Sequence, residues 1–237
     1  MLKFTRFVVE KTTLEYHPEL NQKLWDGVEL RTDVRTQLLK LAKEWQRFAN
    51  IPNSAVKDII FTGGNANYNY TSTSDIDIHI VIDKNSIYSD RKLVDDYYKD
   101  KKALWSLTHE VRVKGYPIEF YAQGLDETLV ASAIYSLKSG EWIKKPIHGD
   151  YDFESEGLEK KVDSYRQMID SLIDSKADKA AFKLLKDKLR DLRKSSLSSG
   201  GEFAEGNLVF KSLRNEGYLD KMSKYLRKKE DEALSMD

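Results

Sequence analysis

Residues 75–82 constrain this chain more than any others: they read Asp-Ile-Asp-Ile-His-Ile-Val-Ile. Successive side chains on a β-strand face opposite sides. Ile76, Ile78, Ile80 and Ile82 therefore share one face, and Asp75, Asp77, His79 and Val81 share the other. One face is built for a core, and the other carries charge.

The flanking segments supply the rest of a small sheet. Val34, Leu38, Leu41, Trp45 and Phe48 recur at helical spacing, which predicts a helix over 33–49 after an irregular start at 1–31. Pro52 and Asn53 end it, and 56–62 reads as a strand running straight into Gly63-Gly64. Residues 90–108 read as a helix with Leu93, Tyr97, Leu104 and Leu107 as its apolar positions. A hairpin follows, with 110–114 and 117–123 flanking Gly115-Tyr116. From Leu125 onward the pattern is helical: 126–138, then 157–194 with a break near 174–178, then 203–233. The run Ser-Ser-Leu-Ser-Ser-Gly-Gly at 195–201 reads as a flexible connector. The expected fold class is α+β. Residues 1–124 would form a small mixed β-sheet core with an N-terminal arm and helices on one face, and 125–237 an all-helical half.

Composition removes several chemistries. With no cysteine among 237 residues, thiolate zinc sites, iron–sulfur clusters, thiol nucleophiles and disulfides are all excluded. Thirty-nine basic residues balance thirty-nine acidic ones, so the overall charge of a phosphate-gripping nucleic-acid binder is missing. Lys3, Arg6, Glu10 and Lys11 interrupt any apolar leader, and no stretch approaches the roughly 18 apolar residues of a membrane span. The expectation is a soluble, cytoplasmic protein without an export signal or a membrane partner. No Walker A run, dinucleotide-binding glycine pattern or zinc-protease helix occurs.

The chemistry sits around the charged strand. Gly63-Gly64 is followed by ten residues and then by Asp75-Ile76-Asp77. Carboxylates at i and i+2 leave one strand on one side, with α-carbons roughly 6.5 to 7 Å apart. Both can lean onto divalent cations about 3.5 to 4 Å apart, the separation used in two-metal phosphoryl transfer, and magnesium seeks oxygen ligands. A double glycine at the end of the preceding strand lets backbone amides approach a triphosphate, because no Cβ stands in the way.

These residues resemble the nucleotidyltransferase fold of the DNA polymerase beta superfamily, whose signature is a hydrophobic residue, Gly-Gly or Gly-Ser, a spacer of about ten, and Asp-x-Asp. Here it reads Phe61-Thr62-Gly63-Gly64 and Ser74-Asp75-Ile76-Asp77, and the likeness runs over 56–123. It implies a third carboxylate on a later strand, for which Glu119 in Pro117-Ile118-Glu119-Phe120-Tyr121 is the candidate. It also implies that Asp75 and Asp77 hold two Mg2+ or Mn2+ ions. Glu119 would complete the site and act on the attacking hydroxyl, and Gly63, Gly64 and Asn65 would lie against the triphosphate. In related folds the helical half supplies a cation to the triphosphate. Lys211 and Arg214, three apart on an expected helix, are the candidates, with a solvated face as the other reading and Lys144 and Lys145 as weaker choices. A narrower resemblance, to predicted nucleotidyltransferases of bacteriophage genomes, adds His17-Pro-Glu-Leu-Asn21, Leu24-Trp25-Asp26, Tyr135-Ser-Leu with Trp142-Ile-Lys-Lys-Pro146, and Asn207-Leu-Val-Phe-Lys211-Ser-Leu-Arg214.

Other residues near the strand have two readings each. Ser72 and Ser74 either bond phosphate or cap the strand. Tyr68 and Tyr70 either stack on a base or pack their loop. His79 reads as a hydrogen-bonded neighbour of the acids rather than a ligand.

The resemblance implies an enzyme that moves a nucleoside monophosphate from a nucleoside triphosphate, with ATP favoured, to a hydroxyl on RNA, a protein or a small molecule, releasing pyrophosphate. The alternative is an inactive relative that binds a nucleotide or a host protein without turnover.

Overall fold

The computed structural model describes residues 14–149 and 156–235. The chain divides into two compact units, the first spanning 15–150 and built on a sheet, the second helical.

The sheet unit opens with a two-stranded hairpin, β1 (Trp25–Asp26) and β2 (Glu29–Leu30). Helix α1 (Thr32–Phe48) follows and buries Val34, Leu38, Ala42 and Trp45. Next come β3 (Val56–Thr62) and β4 (Ile76–Ile82), then α2 (Arg91–Thr108), β5 (Arg112–Val113), β6 (Tyr116–Gly124), β7 (Ile134–Ser136) and β8 (Glu141–Lys144). Six of these strands form one sheet in the order β5-β6-β4-β3-β7-β8, in which β4 and β6 are parallel and the other neighbours antiparallel. The parallel pair needs a crossover connection, and α2 is its helix.

Alternation along β4 survives intact. Ile76, Ile78, Ile80 and Ile82 are all 0% exposed, while Asp77, His79 and Val81 between them are half-buried. The isoleucines join Ile59, Phe61 and Phe120 from neighbouring strands, and Trp45 of α1 with Val94, Tyr98 and Trp105 of α2, in a single core. Both long helices of this unit thus pack on the isoleucine face.

Two expectations for residues 90–138 need correction. Residues 126–138 are not a helix: they contain β7, which pairs with β3 and β8 and extends the sheet past residue 124. Apolar residues in 125–135 mimic a helical repeat, yet Leu125 and Val130 are exposed, and the segment is held by contacts distant in sequence. Arg35 donates from Nε to the Leu137 carbonyl and from Nη2 to that of Lys138, both at 2.8 Å. Trp142 stacks on Trp25 with centroids 4.8 Å apart. The second correction concerns α2. Its limits match, and Asp90 caps it by accepting from the Leu93 amide, but its buried face is Val94, Tyr98 and Trp105. Leu93, Tyr97, Leu104 and Leu107 face solvent, Leu107 at 84% exposure. Two apolar stripes lie one residue apart, and the one carrying the larger aromatic bodies wins the core.

The helical unit holds α3 (Glu156–Asp174), α4 (Lys179–Gly200), α5 (Glu205–Asn215) and α6 (Tyr218–Leu234). Its core joins Leu158, Val162 and Ile169 to Phe182, Leu185 and Leu189, and to Val209, Leu213 and Met222. The expected break at 174–178 is present, and Asp178 caps α4 through the Ala181 amide. The serine run is not a connector: 195–200 completes α4. The hydroxyls of Ser195, Ser198 and Ser199 bond carbonyls three or four residues back, so these polar side chains are satisfied within the helix. Gly206 lets α5 come close to α4, since a Cβ there would lie 2.2 Å from the Ser196 hydroxyl. No helix among the described residues is long and apolar enough to cross a membrane.

Candidate metal and nucleotide site

Three elements bring the acids together. Asp77 lies on β4 and its register partner across the parallel ladder is Glu119 on β6, so the two side chains rise side by side on the face opposite the isoleucines. Asp75 precedes the first residue of β4. One carboxylate oxygen from each of Asp75, Asp77 and Glu119 lies within 4.8 Å of the others, at half-buried positions.

The glycine pair is placed for close approach. Gly63 follows β3, whose last residue, Thr62, is the antiparallel partner of Asp77. Its φ of +83° is a conformation L side chains avoid, and a Cβ built there would lie 1.9 Å from Asp77 Oδ2. The missing side chain is therefore the space Asp77 occupies. Gly64–Ala66 form a 3₁₀ turn, and a Cβ on Gly64 would meet the Ser74 hydroxyl at 3.3 Å.

The Asn65 side chain is engaged within the fold. It is fully buried, and its Nδ2 donates to the carbonyls of Ser74 at 3.2 Å and Asp75 at 2.9 Å. Its Oδ1 accepts from Asn21 Nδ2 at 2.8 Å, and its carbonyl accepts from Trp25 Nε1 at 2.7 Å. One side chain thus clasps both ends of the segment between the glycines and the acids, and Asn21 and Trp25 of the N-terminal motifs hold that clasp. The aromatic residues of the segment pack rather than project. Tyr70 stacks on His17 at 3.8 Å, and Tyr68 meets Tyr16 and His148. Ser74 Oγ accepts from the Thr71 amide at 2.9 Å.

The electrostatic setting contains two partners that the sequence did not flag. Lys102 of α2 donates to Glu119 Oε2 at 2.8 Å, and Tyr121 donates its hydroxyl to the same oxygen at 2.6 Å. The Lys102 ammonium also lies 3.4 Å from the centre of the Tyr121 ring. Burial, and then the charges of Asp77 and Glu119, push the Tyr121 phenol far above its ordinary range, so it remains a proton donor. Burial holds His79 below its usual value, aided by the charge of Lys102 and opposed by the bond to Gln123. The neutral ring donates from Nδ1 to Gln123 Oε1 at 2.7 Å and does not reach toward the acids through that nitrogen. No sequence pattern separates Lys102 from its lysine neighbours at 99 and 101, whereas Tyr121 shares the alternation that marks Glu119.

The cations expected from the helical half stand in the helical unit. Lys211 pairs with Glu202 at 2.8 Å, and Arg214 is exposed on the last turn of α5. Lys144 donates to the Ala131 carbonyl in the sheet unit.

The residues fit a divalent cation. Three oxygen-donor groups with ligand atoms within 4.8 Å of one another match hard-cation chemistry. Carboxylates this close disfavour one another's charge, and a cation among them relieves that.

No protein-family model matches the chain, and no curated protein matches it. A solved structure similar to it is the spectinomycin adenyltransferase AAD(9) from Enterococcus faecialis, determined with ATP and spectinomycin. It is 14% identical, with 81% of this chain and 99% of that chain covered, at a TM-score of 0.25. A likeness that distant carries no argument about this chain.

Proposed function

We propose that the protein is a metal-dependent nucleotidyltransferase, using ATP or another nucleoside triphosphate and a hydroxyl acceptor. The observation that supports this best is the meeting of Asp75, Asp77 and Glu119 within 4.8 Å, beside a glycine whose absent side chain leaves room for Asp77. Asp75 and Asp77 would hold two Mg2+ or Mn2+ ions, and Glu119 would complete the set. The ions, when bound, neutralise the triphosphate and the charge that develops in transfer. The acceptor oxygen forms a bond to the α-phosphorus as the bond to pyrophosphate breaks. Glu119 takes the hydroxyl proton. Gly63, Gly64 and Ser74 line the approach to the triphosphate, and catalysis is mostly positioning and charge neutralisation.

A second reading, a nucleotide-binding protein without turnover, has one observation in its favour: Glu119 Oε2 already accepts from both Lys102 and Tyr121. One experiment separates the two. The protein is incubated with each α-labelled triphosphate, Mg2+ or Mn2+, and RNA, protein or small-molecule fractions. Label passing to an acceptor, with pyrophosphate released, supports the enzyme. Retention of intact triphosphate on the protein, with no transfer, supports the binder.

A further inference from the structure

We propose that Lys102 is an internal counterion of the acid site: its ammonium holds Glu119 while divalent cations are absent and is displaced from it when they bind. This deepens the reading of Asp75, Asp77 and Glu119 as a cation site and rests on it.

The pair differs from an ordinary surface ion pair, which is worth little because water surrounds both ends. The Lys102 side chain is 27% exposed and that of Glu119 38%. Lys102 sits on α2 between Tyr98 and Trp105, both of which anchor the helix in the core. Its ammonium lies against both a carboxylate and the ring of Tyr121. Tyr121 donates to the same carboxylate oxygen.

Charge bookkeeping then forces an exchange. Three carboxylates within 4.8 Å concentrate negative charge, and the Lys102 ammonium pairs with one of them, Glu119. Two divalent cations bring four positive charges to the same space, and an ammonium retained at 2.8 Å from Glu119 would face them as a like charge. The contact between Glu119 and Lys102 is exchanged for one between Glu119 and the metal. No covalent bond changes. Lys102 thus sets the threshold at which the site fills, and it keeps the acid group compensated before that point.

The test uses the full chain, with Mn2+ as probe and free Mn2+ followed by electron paramagnetic resonance. Lys102→Met should bind Mn2+ about tenfold more tightly than the parent protein, equivalent to about 1.4 kcal/mol. Lys102→Arg, which keeps a competing cation, should stay near the parent. So should Lys101→Met, whose ammonium lies instead over the rings of Phe48 and Tyr97. A structural role alone would not raise affinity. In EDTA, Lys102→Met should melt below the parent, and saturating Mn2+ should close the gap. Should the methionine variant not fold, Lys102→Gln carries the same expectation. Equal or weaker Mn2+ binding by the neutral variant, with binding abolished in Asp77→Ala, overturns the counterion and leaves the cation site standing. No Mn2+ uptake by any of these proteins overturns both.

Discussion

The two faces of β4 come from the same eight-residue repeat and obey different rules. On one, four isoleucines are sealed from water among aromatic rings, and nothing about them is individual. On the other, continued across β6, the polar side chains have specific neighbours: Asp77 beside Gly63, Glu119 bonded to Lys102 and Tyr121, His79 on Gln123. The first face stabilises by area and tolerates exchange of one apolar shape for another. The second costs stability through like charge and keeps it only by specific partners. A substitution that leaves one face intact should therefore separate folding from chemistry. All four tryptophans, Trp25, Trp45, Trp105 and Trp142, lie in the sheet unit, so tryptophan fluorescence reads the folding of that unit alone.

The contrast breaks most visibly at neighbouring residues. Asp77→Ala is expected to lower transfer by about a thousandfold or more, several kcal/mol of transition-state stabilisation. Its fluorescence-detected urea midpoint should stay at or above that of the parent, since one repelling charge is gone. A large fall in that midpoint would mean that the acids serve the fold. Ile78→Ala, one residue along, should reverse the pattern. It is 0% exposed, and its truncation should cost about 2 to 5 kcal/mol in urea unfolding. Activity per folded molecule should fall far less.

Gly63→Ala sits where the faces meet and should affect both readouts moderately. The φ of +83° costs about 1 to 3 kcal/mol for a residue with a Cβ, and the new methyl group displaces the Asp77 carboxylate. Mn2+ affinity should drop along with stability. Unchanged affinity would show that Asp77 has room to spare.

The smallest effect is expected away from both faces. Arg91 beside Asp126 holds that carboxyl below its ordinary 3.8, at about 2. A lowered value in the folded state contributes stability that is present above the unfolded value and lost as pH falls through the folded one. Asp126→Asn should therefore flatten the fluorescence-detected stability profile slightly between about pH 4 and pH 2. Above that window its slope should match the parent's.

What the sequence makes legible follows the same division. Period-two alternation is local, so β4 and the isoleucine face can be read directly. The glycine-to-acid interval with the family resemblance points to Asp75, Asp77 and Glu119, whose oxygens the fold gathers. Features that depend on contacts between distant segments are not legible. Strands β7 and β8 are short, and Arg35, Trp25 and their mutual pairing hold them. The choice between two adjacent stripes on α2 is settled only when the helix packs on the sheet, which takes the one carrying Tyr98 and Trp105. Lys102 belongs to the same class, because only packing of α2 on the sheet brings a solvated-looking lysine to Glu119. Asn65 was legible as part of the glycine turn, but its employment by Asn21, Trp25, Ser74 and Asp75 was not.

That employment of Asn65 has a mechanical consequence. The chain leaves the turn after Asn65 and returns to Asn65's own amide nitrogen at Ser74 and Asp75, so the intervening residues form a ring closed without a covalent bond. Changes in the length or make-up of that ring are absorbed within its circumference, and the spacing between the turn and the acids is insulated from them.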